Sequence, residues 1–438
     1  MPSTVQGLHN IAKRKILKAV RSHPAPVAAL MLGLALTTGM ITNATAQPLN
    51  VLHWWTSASE RRGADTLMVA LTAQGIGWHD EAIPGGGGGA AIKVLTSRVL
   101  SGAAPDVAQV IGLTLTEWAD LGLVFPLDDV AQRGKWKQVM FPVVVQTVTR
   151  GGRIMAAPLG VHRINTLLYN RHVWDRLRLP VPHTWADMEA AAKTMRANGI
   201  TPLAWSDDAW QIATVFETLL LAEGGPTLYA RLASAQGWAS WQDPRVMAAL
   251  ERLRWLRDLD NEPTTEQPWT DSARRLFAGK AGMFIMGDWA RGELMAWGAR
   301  PGVDFDCTTV PQTEGMHLYS IDTLAMLVAH NGRRADQDKL AEIIAQPATQ
   351  IAYNQAKGSV PVRMDIDPAQ LDECARDSWQ TLARSGAPLL PSIVHRMAAV
   401  ESTREALGEV LYRFVKNRSM TTGQAQAQLV AIVRGAGQ

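Results

Sequence analysis

The chain has 438 residues, 47% of them hydrophobic and 19% charged. Those fractions exclude a disordered, collagen-like or disulfide-dense chain, and the length allows two or three domains or one split structure. The formal net charge of +3 is gathered at the start, where Lys13, Arg14, Lys15, Lys18 and Arg21 have no acidic neighbour; beyond residue 46, 38 basic residues face 40 acidic ones, so a nucleic-acid footprint has no support there.

In chain order, a basic stretch comes first, then an apolar run over 27–36, then Ala44-Thr45-Ala46 before Gln47. That is the form of a secretory signal peptide over 1–46, cleaved after about Ala46. The apolar run is too short to span a bilayer, and an uncleaved anchor is the plainer alternative. The remainder is expected in the periplasm.

Residues 49–55 read as a buried strand ending in a polar loop, and a helix is expected over 59–74. Gly85 to Gly89 is an uninterrupted glycine run. It lacks the Gly-Lys-Ser/Thr ending of a phosphate-cradling loop and reads as a flexible loop. Residues 106–111 form the next expected strand, 117–121 lie in a helix, and 164–169 read as a strand. Thr184 and Asp187 have capping-box spacing for a helix that stops at Gly199. Trp205 to Trp210 is a polar, aromatic loop before a helix at 214–222. Helical patterns then run to 259 and over 271–277, with a strand at 283–286. The tail reads mostly helical, with breaks at 364–368 and 387–391. This alternation argues for an α/β protein with parallel sheets covered by helices.

Two cysteines remain after cleavage, Cys307 and Cys374. In an oxidising compartment an even pair favours one disulfide over two separate thiols. Two Cys and no clustered His offer no zinc site, and no cofactor is expected. No nucleophile elbow, metalloprotease helix or dinucleotide fingerprint occurs. The unusual quantity is Trp: sixteen, against seven Phe and five Tyr. Indole packs flat on the C–H face of a pyranose, while the sugar's rim hydroxyls need planar or charged partners. Most Trp in any chain are packing residues. Here, however, Trp54 and Trp55 precede Thr56-Ser57, Trp289 follows Gly287-Asp288, and Trp205 and Trp210 flank Ser206-Asp207-Asp208. Polar groups beside Trp at strand ends are where clefts of open α/β sheets lie.

Eight motifs in order carry a more specific likeness. They are His53-Trp54-Trp55-Thr56-Ser57 with Glu60, Val94-Leu95-Thr96-Ser97-Arg98 with Ser101-Gly102, and Ala157 to Asn165. Gly279 to Met283 and Met286 to Glu293 follow, then Ile321 to Met326, Ala356 to Arg363 and Pro391 to His395. Over nearly all of the mature chain the sequence resembles the glucose/mannose-type sugar-binding proteins, periplasmic receptors of ABC importers within the bacterial extracellular solute-binding protein family. The resemblance implies a two-lobed periplasmic-binding-protein fold, each lobe a mostly parallel sheet with flanking helices, closing like a hinge. It implies an N-terminal lobe of 47–160 plus about 320–360, and a C-terminal lobe of about 161–319 plus 361–438.

Carried over residue by residue, the resemblance makes Trp54, Trp55 and Trp289 stacking platforms. Glu60, Asp322, Lys357 and His395 would bond the hydroxyls. Plainer readings stand beside these: Glu60 as a helix-start carboxylate, Asp322 as a turn residue, Lys357 as a solvated charge, His395 as a core histidine, and Trp55 as packing on the far strand face. Two positions depart from the family pattern: Thr96 stands where Lys is frequent, and Ser320 where Asn is frequent. The implied function is capture of a monosaccharide, glucose- or mannose-like, or a related sugar by a monomeric receptor. It would pass that sugar to permease subunits in the inner membrane without chemistry of its own. The alternatives are an exported glycoside-active enzyme or a receptor for a membrane sensor.

Overall fold

The computed structural model describes residues 47–260, 266–328 and 332–436, so the signal-peptide segment 1–46 lies outside the described residues. The strands are β1 Leu49–His53, β2 Trp78–Ala82, β3 Val107–Gln109, β4 Thr149–Arg150, β5 Arg153–Ile154, β6 Ala157–Arg163, β7 Thr166–Asn170, β8 Thr201–Leu203, β9 Ala281–Ile285, β10 Phe305–Thr309, β11 His317–Met326 and β12 Leu389–Pro391. β12-β11-β3-β1-β2 form one sheet with β6 added against β11, and β10-β7-β9-β8 form a second. Among the described residues no helix is long and apolar enough to cross a membrane.

The sheets are mixed. In the first, β1 runs parallel to β2 and β3, and β11 parallel to β12, while β11 is antiparallel to β3 and β6. In the second, β7 is antiparallel to both β9 and β10, and only β8 with β9 is parallel. The expectation of mostly parallel strands therefore fails for the second sheet. Runs such as Leu167-Leu168-Tyr169 are apolar because both faces are covered, and that pattern does not report strand direction.

Among the described residues, buried apolar side chains fall into two large clusters and a small third one of Ile366, Leu371 and Ala375. One large cluster holds residues from Leu49 to Val161 and from Ile321 to Val362, with Leu382. The other holds residues from Ile164 to Val310, Leu318, and residues from Leu390 to Leu429. The chain passes between them along β6 and β11, which lie side by side with Ser320 opposite His162 and Asp322 opposite Gly160. The expected 361–438 block is shared between the cores, since Leu382 packs in the first and β12 pairs in the first sheet. That short strand occupies the break expected at 387–391.

The expected helices form close to their sequence signals. Ser57 and Glu60 make a capping box for the helix Ala58–Thr72, and Thr184 and Asp187 make another for Trp185–Ala197. The helix Ala209–Leu232 begins earlier than expected, at Asp208, whose carboxylate accepts from Trp210 N. The helix Trp289–Ala296 packs between the cores: Glu293 accepts from Ala58 N at 3.2 Å and Ser59 N at 2.9 Å, so an acid of the second core caps a helix of the first. Cys307 on β10 is bonded to Cys374, at the start of the helix Glu373–Ala383.

Candidate functional site

A cavity of about 470 Å³ lies between the two cores. Trp54 enters it from the end of β1, and Thr56, Ser57 and Glu60 from the first turn that follows. His162 and the pair Ser320 and Asp322 come from β6 and β11, Trp289 from the turn after β9, Lys357 from the last residue of the helix Pro347–Lys357, and His395 from the loop after β12. Of the residues marked in the sequence, Trp54, Glu60, Trp289, Ser320, Asp322, Lys357 and His395 line this one space.

Two marked residues do not. Trp55 is wholly buried in the first core, its ring stacked on His53 at 4.7 Å and tilted against Tyr353 at 5.9 Å, so the two adjacent indoles part just past the end of β1. Thr96 is exposed on the helix Gly89–Leu100, where its hydroxyl bonds back to Ile92 O at 2.8 Å. Its departure from the family pattern therefore removes nothing from the cavity wall.

The charges are arranged in linked sets. His162 bridges Asp288, with Nδ1 at 2.6 Å from Oδ1, and Asp322, with Nε2 at 3.3 Å from Oδ2. A ring with a carboxylate at each nitrogen is satisfied only when both nitrogens donate, so it is the imidazolium. Burial, the largest influence, and the Lys357 charge oppose that form, but the Asp288 and Asp322 carboxylates together outweigh them and the His162 pKa is raised. Burial likewise opposes ionisation of Asp322, and the hydrogen bond and charge of His162, with the Lys357 charge, win and lower its pKa. Asp322 is thus held as an anion, a strong acceptor for a hydroxyl. β11 slips register between Asp322 and Thr323, the kind of irregularity that re-aims a side chain beside a site.

Lys357 Nζ lies 3.4 Å from Glu60 Oε1, while Glu60 Oε2 accepts from Thr56 N and Ser57 N at 3.0 and 3.1 Å. Glu60 is therefore both the helix-start carboxylate and a lining residue. His395 is pushed down to about 3 by burial, then by the Arg396 and Arg404 cations, and so is a neutral partner. Its Nε2 lies 3.2 Å from Thr214 Oγ1. The loop that carries it is fixed by Glu217, which accepts from Ser392 Oγ at 2.8 Å and Val394 N at 3.2 Å.

Trp289 is 6% exposed and meets His162 and His395 edge-on, each at 5.3 Å. Gly287 makes this seat possible, since a Cβ there would lie 2.1 Å from the Trp289 ring. At Gly88, with φ +74°, a Cβ would stand 2.7 Å from the Trp54 ring, so the glycine run is a fitted turn against that indole rather than a loose loop.

Trp210, noted in the sequence beside its polar loop, lines the cavity too, and the sequence reading missed His162, Trp269 and Arg396, which also line it. His162 lay inside a quoted motif and Arg396 directly after the marked His395, while nothing near Trp269 marked it. Four of the sixteen Trp, residues 54, 210, 269 and 289, line the cavity. Others such as Trp136, Trp174, Trp205 and Trp241 are packed in the cores.

A family model for bacterial extracellular solute-binding proteins matches residues 77–330. A "Probable sugar-binding periplasmic protein" of Brucella suis is 32% identical over 407 residues, 92% of this chain and 96% of that protein. One of the same name from Rhizobium meliloti is 32% identical over 412 residues, 94% and 98%. In structure, the bacterial solute receptor AcbH aligns with a TM-score of 0.76 at 17% identity, covering 89% of this chain and all but 1% of that one, a likeness of fold alone. Its relatives and structural neighbours are solute-binding proteins, not enzymes. The protein belongs to the bacterial extracellular solute-binding protein family, as a sugar-binding solute receptor of the ABC-transporter kind.

Proposed function

We propose that the cavity captures a sugar with one ring of the glucose or mannose kind seated between Trp289 and the charged set of Glu60, His162, Asp322 and Lys357, and that the protein delivers it to a permease in the inner membrane. One observation carries this reading: Trp54, Glu60, Trp289, Ser320, Asp322, Lys357 and His395, spread over more than three hundred positions, line a single cavity. Trp289 offers an apolar face, Asp322 an ionised acceptor, Lys357 a donor cation and His395 a neutral ring. Relatives are named for xylose and arabinose in Haloferax volcanii and for glucose in Saccharolobus solfataricus, which bears on the class of ligand.

In this proposal the two cores are lobes, the first built mainly from 47–160 and 320–360 and the second mainly from 161–319 and the tail, with cleavage after about Ala46 freeing a monomer into the periplasm. Closure about β6 and β11 removes water from the pocket and strengthens each charged hydrogen bond. The carboxylates are already engaged, Glu60 with helix amides and Lys357, Asp322 with His162, which suits holding hydroxyls and not proton transfer.

Calorimetric titration of residues 47–438, stripped of prebound ligand, with glucose, mannose, galactose, xylose, disaccharides and polyols tests the reading. Saturable binding of a sugar recovered unchanged is expected. Turnover of a disaccharide, or silence across the panel, would overturn it.

A further inference from the structure

The cavity exceeds one sugar ring. A hexose displaces roughly six waters, ~180 Å³ at about 30 Å³ each, whereas the cavity measures about 470 Å³. Its aromatic wall continues past the inner set: His162 meets Trp289 at 5.3 Å, and Trp289 meets Trp210 at 6.3 Å with the two indoles tilted by 41°. That spacing is comparable to the step between neighbouring rings of an oligosaccharide. Trp210 is only half-buried and stands at the start of the helix Ala209–Leu232, on the second core.

Two features of this end have no role in holding the first ring. Arg396 lines the cavity and is 1% exposed. Its Nε pairs with Glu401, its Nη1 donates to Gly87 O, and its Nη2 has no hydrogen-bond partner among the described residues. A buried guanidinium nitrogen left without an acceptor carries a desolvation cost that a ligand oxygen would relieve. The glycine turn, from the first core, faces Trp210: a Cβ on Gly87 would come within 4.0 Å of the Trp210 ring and 3.8 Å of Arg404 Nη1. A turn without side chains keeps this end open.

We infer that this end is a second sugar-ring subsite, and that the ligand is a disaccharide or longer sugar whose second ring stacks on Trp210 and accepts a hydrogen bond from Arg396 Nη2. The inference rests on the reading of the cavity as a sugar site and adds the size of the ligand to it.

The test is calorimetric titration of the processed protein with glucose, mannose and galactose against maltose, cellobiose, trehalose and lactose. At least one disaccharide is expected to bind tenfold or more tightly than its component monosaccharide. Trp210→Ala is expected to bring that ratio toward one. Gly87→Asn is expected to do the same by filling the turn, since Asn tolerates the left-handed backbone there. An unchanged unfolding temperature separates loss of the subsite from loss of the fold, and a sound Gly87→Asn protein decides the matter where Trp210→Ala does not fold. A monosaccharide that binds as tightly as every disaccharide overturns the second subsite and leaves the sugar receptor standing. A ratio untouched by either folded variant also overturns it. Silence for every sugar overturns the receptor reading itself.

Discussion

His162 Nδ1 lies 2.6 Å from Asp288 Oδ1, and both side chains are buried where the two cores meet. The same ring reaches Asp322 through Nε2, so one imidazolium ties β6 to β11 and to the start of the helix Trp289–Ala296. Removing it would leave two buried carboxylates facing each other without a cation between them. His162→Gln is expected to cost about 3 kcal/mol of stability. The pH dependence has a definite sign. A raised histidine contributes fully below its unfolded value near 6.5 and loses that contribution as pH climbs through the folded value; lowered Asp322 contributes above about 3.9 and loses it as pH falls through its folded value. The gap in unfolding temperature between wild type and His162→Gln should be widest between about pH 4 and 6.5 and narrow toward alkaline pH. A gap that widens above pH 7 would contradict the bridge.

Trp289 is seated by its neighbours, not merely exposed to ligand. Trp289→Ala should weaken sugar binding by about 2 kcal/mol from lost stacking area and also lower stability, because the indole is packed in the second core. Gly287→Ala gives a cleaner reading. Its methyl would overlap the Trp289 ring, so affinity should fall although residue 287 offers the ligand no group of its own. Titration calorimetry of Gly287→Ala with unchanged affinity would remove Trp289 from the platform role.

Glu293 caps the helix Ala58–Thr72 from the other core through Ala58 N and Ser59 N. Glu293→Ala should cost about 1–2 kcal/mol, the value of a charged cap on buried amides. Chemical denaturation is the measurement, and a shift within error of zero would mean the amides find water.

The Cys307–Cys374 bond closes a loop with a sequence separation of 67. Chain-entropy arguments put its stabilisation at about 4 kcal/mol, an upper value. The double Cys307→Ala, Cys374→Ala variant should unfold at clearly lower denaturant, and unreduced wild type should show no titratable thiol after unfolding.

Local signals carried much of the fold. The capping box at Thr184, the buried run of β1 and the alternation of strands with helices appear where the sequence puts them, because short-range hydrogen bonding and periodicity decide them. Strand direction in the second sheet was not legible, since full burial removes the alternation that reports it. Trp54 and Trp55 show the same limit in the site: adjacent indoles diverge to cavity and core just past the end of β1. Thr96 was misplaced because a motif fixes neighbours along a chain while its helix turns that side chain to solvent. Arg396 was passed over although it follows the marked His395, as its place depends on Gly87 more than three hundred residues away.

The strands β6 and β11 hold His162, Ser320 and Asp322 on the very segments by which the chain passes from one core to the other. In the proposed closure the cores would turn near this pair and the third crossing between Leu382 and Leu390, and points near an axis travel least. On the proposed reading the inner residues would then act as a fixed gauge of ring stereochemistry through any such closure. The Gly87 turn and Trp210, set on opposite cores, sweep the longer arcs. Substitutions there would change how often the cleft shuts and how much it encloses, leaving untouched the question of which first ring it admits.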